Sequence, residues 1–337
     1  MRNLEYSWFS LSSTPGFGTK SINYIFSNLQ QRGMSISDLF DLNLSQLADL
    51  LPEIGKGRFS RASLSALNQL DEEKLYSLFE KLKSENVHLI TLDDERYPKS
   101  VLENMRETAP PILYCRGYLP LLNTRGVSIV GSRDVDDFTV LLTKSIASKL
   151  AESGLNVTSG YAKGVDTSAH LGALAAGGTT TMILSFGVDH IAIKKEMRAL
   201  DWEKNSLFIT QFAPFEKFSG PNAMIRNKLV CAMSKAIVVM ASGPEKDSQG
   251  KMSGTFDAAK AALKMNIPVF VLSPDILKPT PQGNIDLVKI GAIPFADGSD
   301  IVKYLEDHPE NENASNNRLP TKINTHPPAQ STQPTLF

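Results

Sequence analysis

The sequence predicts an α/β protein: a mostly parallel sheet with helices on both faces, preceded by a small all-α domain. Three observations predict it. From residue 85 onward, short β-branched runs alternate with longer amphipathic stretches, the pattern of strands buried on both sides by crossover helices. Several of those runs end in Gly and lead directly into a helix start, the strand–turn–helix unit of open α/β sheets. Before residue 85 the chain is rich in helix formers broken by Gly and Pro, which reads as packed helices.

The length of 337 residues suits one large α/β domain with a smaller companion and a tail. Domains are expected at 1–84 (helical), 85–306 (α/β) and 307–337. The last, HPENENASNNRLPTKINTHPPAQSTQPTLF with its preceding residue, is rich in Asn, Pro and Thr and too poor in apolar residues to fold alone, so a disordered tail is expected. With 42% apolar residues and no run of spanning length, nothing needs a bilayer. The first residues, MRNLEYSWFS, lack a signal-peptide pattern, so a soluble cytoplasmic protein is expected. Cys115 and Cys231 are far apart and outside any Cys/His cluster, which predicts reduced packing thiols, no metal site and no cofactor. With 35 basic against 36 acidic residues the total charge implies no nucleic-acid partner, so any such site must be a local patch.

In the helical part, Pro15-Gly16-Phe17-Gly18 and Leu51-Pro52-Glu53-Ile54-Gly55-Lys56-Gly57 each set an apolar residue beside glycines before a helix start, as in helix-hairpin-helix modules. Such turns can aim backbone N–H groups at a phosphate, with Lys20, Lys56 and Arg58 as candidate partners; packing of two helices requires similar turns. Strands are expected near His88 to Leu92, Val127 to Gly131, Asn156 to Ser159, Thr180 to Phe186, Leu207 to Gln211, Ala236 to Met240 and Val269 to Leu272. The clearest helix is Phe138 to Ser153, with Leu141, Leu142, Ile146 and Leu150 near one face.

Four Gly-rich turns carry the candidate site. Gly131-Ser132-Arg133 follows a strand and precedes a helix, where Gly permits close backbone approach and the helix N-terminus favours an anion. Ser159-Gly160-Tyr161-Ala162-Lys163-Gly164-Val165-Asp166 repeats the device, with Asp166 and His170 four residues apart on one helix face. His170 is read as an orienting or packing residue, because no Ser or Cys nucleophile partners it. In Gly220 to Leu229, Arg226 can hold a phosphate bidentately, Lys228 adds a point charge and Asn227 a donor. Ser253, Gly254 and Thr255 open the last of the four helices. Tyr161 can stack on a base or border the pocket.

These residues carry a resemblance. LITLDDERYPKSVL, APPILYCRG, IVGSR, SGYAKGVDTSAHLGAL with GGTT, MIRNKL, SGTFDAAKAAL and GNIDLVKIGAIPF follow one another over residues 88–306 as in the DNA-processing protein A (DprA/Smf) family, which the chain resembles. The resemblance implies an extended Rossmann-like domain with a helix-hairpin-helix or SAM-like helical domain. It also implies single-stranded DNA binding without catalysis, loading of a RecA-type recombinase, and a homodimer acting in recombination, transformation or foreign-DNA processing. By similarity, Arg133, Ser159, Gly160, Lys163, Gly164, Asp166, Arg226 and Asn227 line the pocket. The chain departs from the family at Lys228, where a third guanidinium is usual, and at the insertion-like stretch Gly243 to Lys251, and its tail is not expected to form the C-terminal winged helix that many members carry.

A second reading is an enzyme of the LOG-type phosphoribohydrolase group, cleaving or sensing nucleotides. Met224, Arg226 and Lys228 with Gly254, Thr255 and Asp257 resemble its motifs; Arg226 would bind phosphate and Asp257 stabilise the oxocarbenium-like centre. The usual Glu is shortened to Asp, which displaces the carboxylate by about a methylene. Finally, Gln333, Leu336 and Phe337 in the closing QPTLF resemble a peptide that docks on the replicative sliding clamp.

Overall fold

The computed structural model of the chain describes residues 3–51, 65–67, 69–124 and 126–309. The second Gly-rich mark with Lys56 and Arg58, and the peptide residues Gln333, Leu336 and Phe337, lie outside the described residues. Helices α1 (Leu4–Ser13), α2 (Thr19–Gln31), α3 (Leu44–Leu50) and α4 (Glu72–Ser84) form the N-terminal helical part. Its ends are capped by side chains: Asn3 accepts from the Tyr6 N–H, Asn43 and Gln46 form a reciprocal capping box, and Asp71 accepts from Lys74.

A nine-stranded sheet follows, in the order β1-β2-β6-β5-β4-β3-β7-β8-β9. The strands are β1 (His88–Thr91), β2 (Ile112–Gly117), β3 (Gly126–Val130), β4 (Val157–Ser159), β5 (Thr180–Ile183), β6 (Ser206–Thr210), β7 (Ser234–Val239), β8 (Val269–Leu272) and β9 (Ile293–Phe295). Every pair from β6 to β9 is parallel, and β1–β2 and β2–β6 are antiparallel. The helices between them are α5 (Lys99–Met105), α6 (Asp137–Glu152), α7 (Val165–Ala175), α8 (Trp202–Asn205), α9 (Gly220–Ala232), α10 (Gly254–Lys264) and α11 (Gln282–Lys289), with α12 (Gly298–Asp307) after the last strand.

This is the expected α/β architecture, a doubly wound Rossmann-like sheet, with both faces buried as the continuous apolar runs require. On one face Val127 and Ile129 pack with Ile146, Leu150, Ala169 and Ile301 of α6, α7 and α12; on the other Val130, Ile183 and Val239 pack with α9, α10 and α11. The helical part rests on a third cluster in which Trp8, Phe9 and Phe79 join Leu89, Ile112 and Tyr114 of β1 and β2. Among the described residues no helix is long and apolar enough to cross a membrane.

Three local expectations are corrected. Leu141 is 65% exposed; the buried stripe of α6 is Thr139, Thr143, Ile146, Ala147 and Leu150, which the polar threonines disguise. β2 and β9 went unread. β9 is three residues long and contains Pro294, which an edge strand tolerates because its outer N–H has no ladder partner to lose. β2 follows Pro110-Pro111 and ends in the exposed Arg116-Gly117, so its apolar run is too short to stand out.

Candidate nucleic-acid interface

The chain winds outward from β3 through β4, β5 and β6, then returns to place β7 on the other side of β3. That reversal puts a topological switch point between β3 and β7, where loops at the carboxyl ends of the strands diverge and leave a crevice. Gly131-Ser132-Arg133 sits at this point, and the Ser132 N–H donates to the Ala241 carbonyl across it at 2.9 Å.

The second turn is pressed against the first. The Val165 N–H donates to the Ser132 carbonyl, and a Cβ on Gly131 would lie 2.6 Å from a Val165 methyl. Gly164 has φ +72°, and a Cβ there would stand 2.6 Å from the carbonyl oxygens of both Ser132 and Arg133. Glycine at 131 and 164 is therefore demanded by turn-on-turn contact. The third and fourth turns join through the Asn227 amide, which donates to the Gly254 carbonyl at 3.0 Å. Ser253 caps α10 by accepting from the Phe256 N–H, with Gly254, the half-buried Thr255 and Asp257 in the first turn. The exposed Arg133 guanidinium lies 5.2 Å over the Phe218 ring, linking the first turn to the loop before α9, and Lys163 is exposed at the tip of the second turn. Phe218 was not legible as a site residue: it lies in a loop with no motif.

Several side chains expected to face a ligand point inward instead. Arg226 is 6% exposed; its Nη1 donates to the Ile183 carbonyl at 2.8 Å and lies 4.0 Å from Asp166 Oδ2, while its Nε is buried without a partner. Gly160 is glycine because a Cβ there would strike the guanidinium and the Asp166 carboxylate. Arg226 thus braces the second turn from below and does not present a phosphate clamp, which also removes it from the phosphate role in the hydrolase reading; the carboxylate it meets is Asp166. Ser159 is fully buried, its hydroxyl donating to the Ile129 carbonyl at 2.6 Å, so it ties β4 to β3. The Ser132 hydroxyl donates to the Asp134 carbonyl within its own turn. Lys228 projects from α9 into a different cavity, which it shares with Lys20. Tyr161 is not free to stack: Lys194 lies 4.4 Å over its ring, Phe208 meets its edge, and its hydroxyl donates to the Ala192 carbonyl.

Lys194 is a second residue that sequence reasoning missed. Its ammonium donates to the carbonyls of Tyr161 and Ala162 and to the Thr167 hydroxyl, so one cation gathers the backbone of the second turn. Burial lowers its pKa, with Asp166 opposing. Nothing in the local run Ile193-Lys194-Lys195 marks one lysine over the other.

His170 completes the support. It is fully buried, with Nε2 2.5 Å from the Gly160 carbonyl and Nδ1 2.7 Å from Thr180 Oγ1. A carbonyl only accepts, so Nε2 carries the proton toward Gly160; Nδ1 faces the Thr180 hydroxyl, whose own proton goes to the Val157 carbonyl at 2.7 Å, and Asp166 does not orient the ring. Burial lowers its pKa from 6.5 to about 4, so the ring is neutral near pH 7. Because the unfolded chain takes up this proton first as pH falls, the His170 contribution is whole above pH 6.5 and drains away toward pH 4. A loss of roughly 3 kcal/mol across that window is expected on this account. Denaturant titrations at stepped pH should show it in the parent chain and a flatter profile in His170→Gln; parallel profiles would remove the assignment.

The comparisons with known proteins place the family and the fold. The model of the DNA recombination-mediator protein A family matches residues 88–306, nearly the whole sheet with its helices. The chain belongs to the DNA recombination-mediator protein A family. Among its relatives, Protein Smf of Synechocystis is 30% identical over 224 residues, 64% of this chain and 54% of that protein. The DNA processing protein DprA of Streptococcus pneumoniae is 29% identical over 243 residues, 71% of this chain and 79% of that one. The aligned part therefore spans about half of the Synechocystis protein. The X-ray structure of DNA processing protein A from S. pneumoniae superposes with a TM-score of 0.73, covering 90% of this chain and 98% of that one at 24% identity, a likeness of fold. A structure of DNA processing protein A from Helicobacter pylori, described for its single-stranded DNA binding mode, covers 65% of this chain and 96% of that one, with TM-score 0.53 and 26% identity. All four turns of this recombination-mediator family member fall inside the matched region, whereas Lys20 and its turn lie outside it.

Proposed function

We propose that the chain binds single-stranded DNA along the carboxyl edge of the sheet, gripping sugar-phosphate with Arg133, Lys163 and the backbone of the turns that carry them. The observation that carries this reading is the direct contact of two Gly-rich turns at the switch point, each presenting an exposed cation, over a floor braced by Arg226, Lys194 and His170. Phosphate contacts made by such groups hold a strand without reading its sequence. Phe218, 51% exposed beside Arg133, offers a base a stacking surface. The Helicobacter structure described for single-stranded DNA binding supports the substrate class. The role is binding without catalysis, carried out as a homodimer that passes the strand to a RecA-type recombinase, with Gln333, Leu336 and Phe337 as a clamp-docking peptide.

Fluorescence anisotropy with labelled oligonucleotides over a salt series tests this. Arg133→Ala combined with Lys163→Ala is expected to weaken binding at least tenfold on every sequence alike. It should also flatten the log–log salt slope by about 0.7 per cation removed. Unchanged affinity and slope would refute the assignment.

A further inference from the structure

Phe218 stands on the loop of residues 213–219, and both rings of that loop are backed by cations from elsewhere in the chain. On the crevice side, the Arg133 guanidinium lies 5.2 Å over the Phe218 ring. Three residues back, the half-exposed Phe215 ring has the Lys81 ammonium of α4 5.3 Å from its centroid. One short loop therefore meets a cation of the α/β domain at one end and a cation of the helical part at the other.

The short turn Val188–His190 joins the two. Val188 is buried in the same cluster as Trp8, Phe9 and Phe79, so the turn is seated against the helical part. Asp189 accepts from Lys81 Nζ at 2.7 Å, and its own N–H donates to the Pro214 carbonyl at 3.1 Å. The Phe215 carbonyl accepts from His190 Nε2 at 3.0 Å, and the Glu216 carbonyl from the Gly187 N–H at 2.8 Å. A Cβ on Gly187 would strike the carbonyl oxygens of Ala213 and Pro214, so the loop lies flat on this turn. Lys81 thus touches both members of the joint, the turn through Asp189 and the loop through Phe215. It lies outside the region 88–306 matched by the family model.

We infer that Lys81 is a positioning residue for strand binding: from the helical part, through Asp189 and Phe215, it holds the loop so that Phe218 stays beside Arg133. The inference rests on the crevice reading. A loop already in place spares the strand the cost of ordering it, and one that wanders lowers affinity by the fraction of time it is misplaced. Lys81 is not itself a phosphate contact, because its ammonium is taken up by Asp189 and, at 3.7 Å, by Glu85.

Anisotropy of the full chain with a thymidine oligonucleotide over a salt series tests this in Lys81→Met, Lys81→Arg, Phe218→Ala and Lys81→Met/Phe218→Ala. Lys81→Met should raise Kd about threefold to fivefold, the worth of one exposed cation–ring contact. Its salt slope should match the parent's, and its denaturation midpoint should barely move, since exposed ion pairs add little stability. Lys81→Arg should restore most of the affinity, because a guanidinium keeps both the carboxylate and the ring. In the Phe218→Ala background the Lys81→Met penalty should vanish, since the ring that the loop presents is gone. Parent affinity in Lys81→Met, a penalty undiminished without Phe218, or a salt slope lowered by about 0.7, the mark of a direct phosphate contact, would each overturn the inference. It falls alone when Arg133→Ala/Lys163→Ala weakens binding and Lys81→Met does not. When that crevice pair binds like the parent, or the parent binds no oligonucleotide, the crevice reading falls and takes the inference with it.

Discussion

Replacing Arg226 by methionine is expected to destabilise the chain by about 3–5 kcal/mol, because one partner of a buried ion pair is removed while the other stays. Asp166 is 7% exposed and would keep only the 3.3 Å hydrogen bond from the Ala162 N–H, and the Ile183 carbonyl would lose the donor from Arg226. Urea denaturation should show the fall in midpoint, and Arg226→Met/Asp166→Asn should recover part of it, since the stranded charge is then gone. DNA affinity measured where the variant is folded should fall less steeply than stability. The reverse, a variant as stable as the parent that has lost DNA, would make Arg226 a direct ligand and refute its role as a brace.

Gly164→Ala should be nearly as severe, on the order of 3–4 kcal/mol, from two sources that add. The residue holds φ +72° and ψ −125°, a region side chains rarely enter, which costs about 1–3 kcal/mol. Its Cβ would also press on two backbone oxygens that cannot rotate away, and overpacking of that kind costs about 1–3 kcal/mol more. The loss is read from thermal or denaturant unfolding, with oligonucleotide affinity falling at the same time because Arg133 and Lys163 sit on the two turns driven apart. Alanine tolerated with both properties intact would show that the turns are not in contact.

Much of the fold was legible because its signals are local. β-branched runs of strand length, punctuated by Gly and followed by amphipathic stretches, are set by side-chain periodicity alone, and the four turns stood out through their glycines. What those glycines are for was not legible. Gly160 makes way for a guanidinium 66 residues further on, and Gly164 for the backbone of a turn some 30 residues earlier. A residue's direction depends on which strand becomes its neighbour, and that is decided by topology. So Arg226 and Ser159 read as ligands by chemical type, while the fold turned both inward to bond carbonyls of adjacent strands. Lys194 was missed for the opposite reason: its task of collecting carbonyls is assigned by a neighbour 33 residues away, and no spacing rule reaches that far. Lys228 was grouped with Arg226 because they are two apart, a separation that on a helix places side chains on different sides.

The antiparallel pair β1–β2 has a consequence for any attempt to isolate the family's shared portion. Leu89, Ile112 and Tyr114 lie under Trp8, Phe9 and Phe79, so the first eighty residues serve as the roof over that margin of the sheet. Severing the chain there would strip an oily surface bare beside an open strand margin, a combination that invites self-adhesion. The helical part and the sheet are therefore bound by a shared hydrophobic seam, and the N-terminal quarter is as much foundation as appendage.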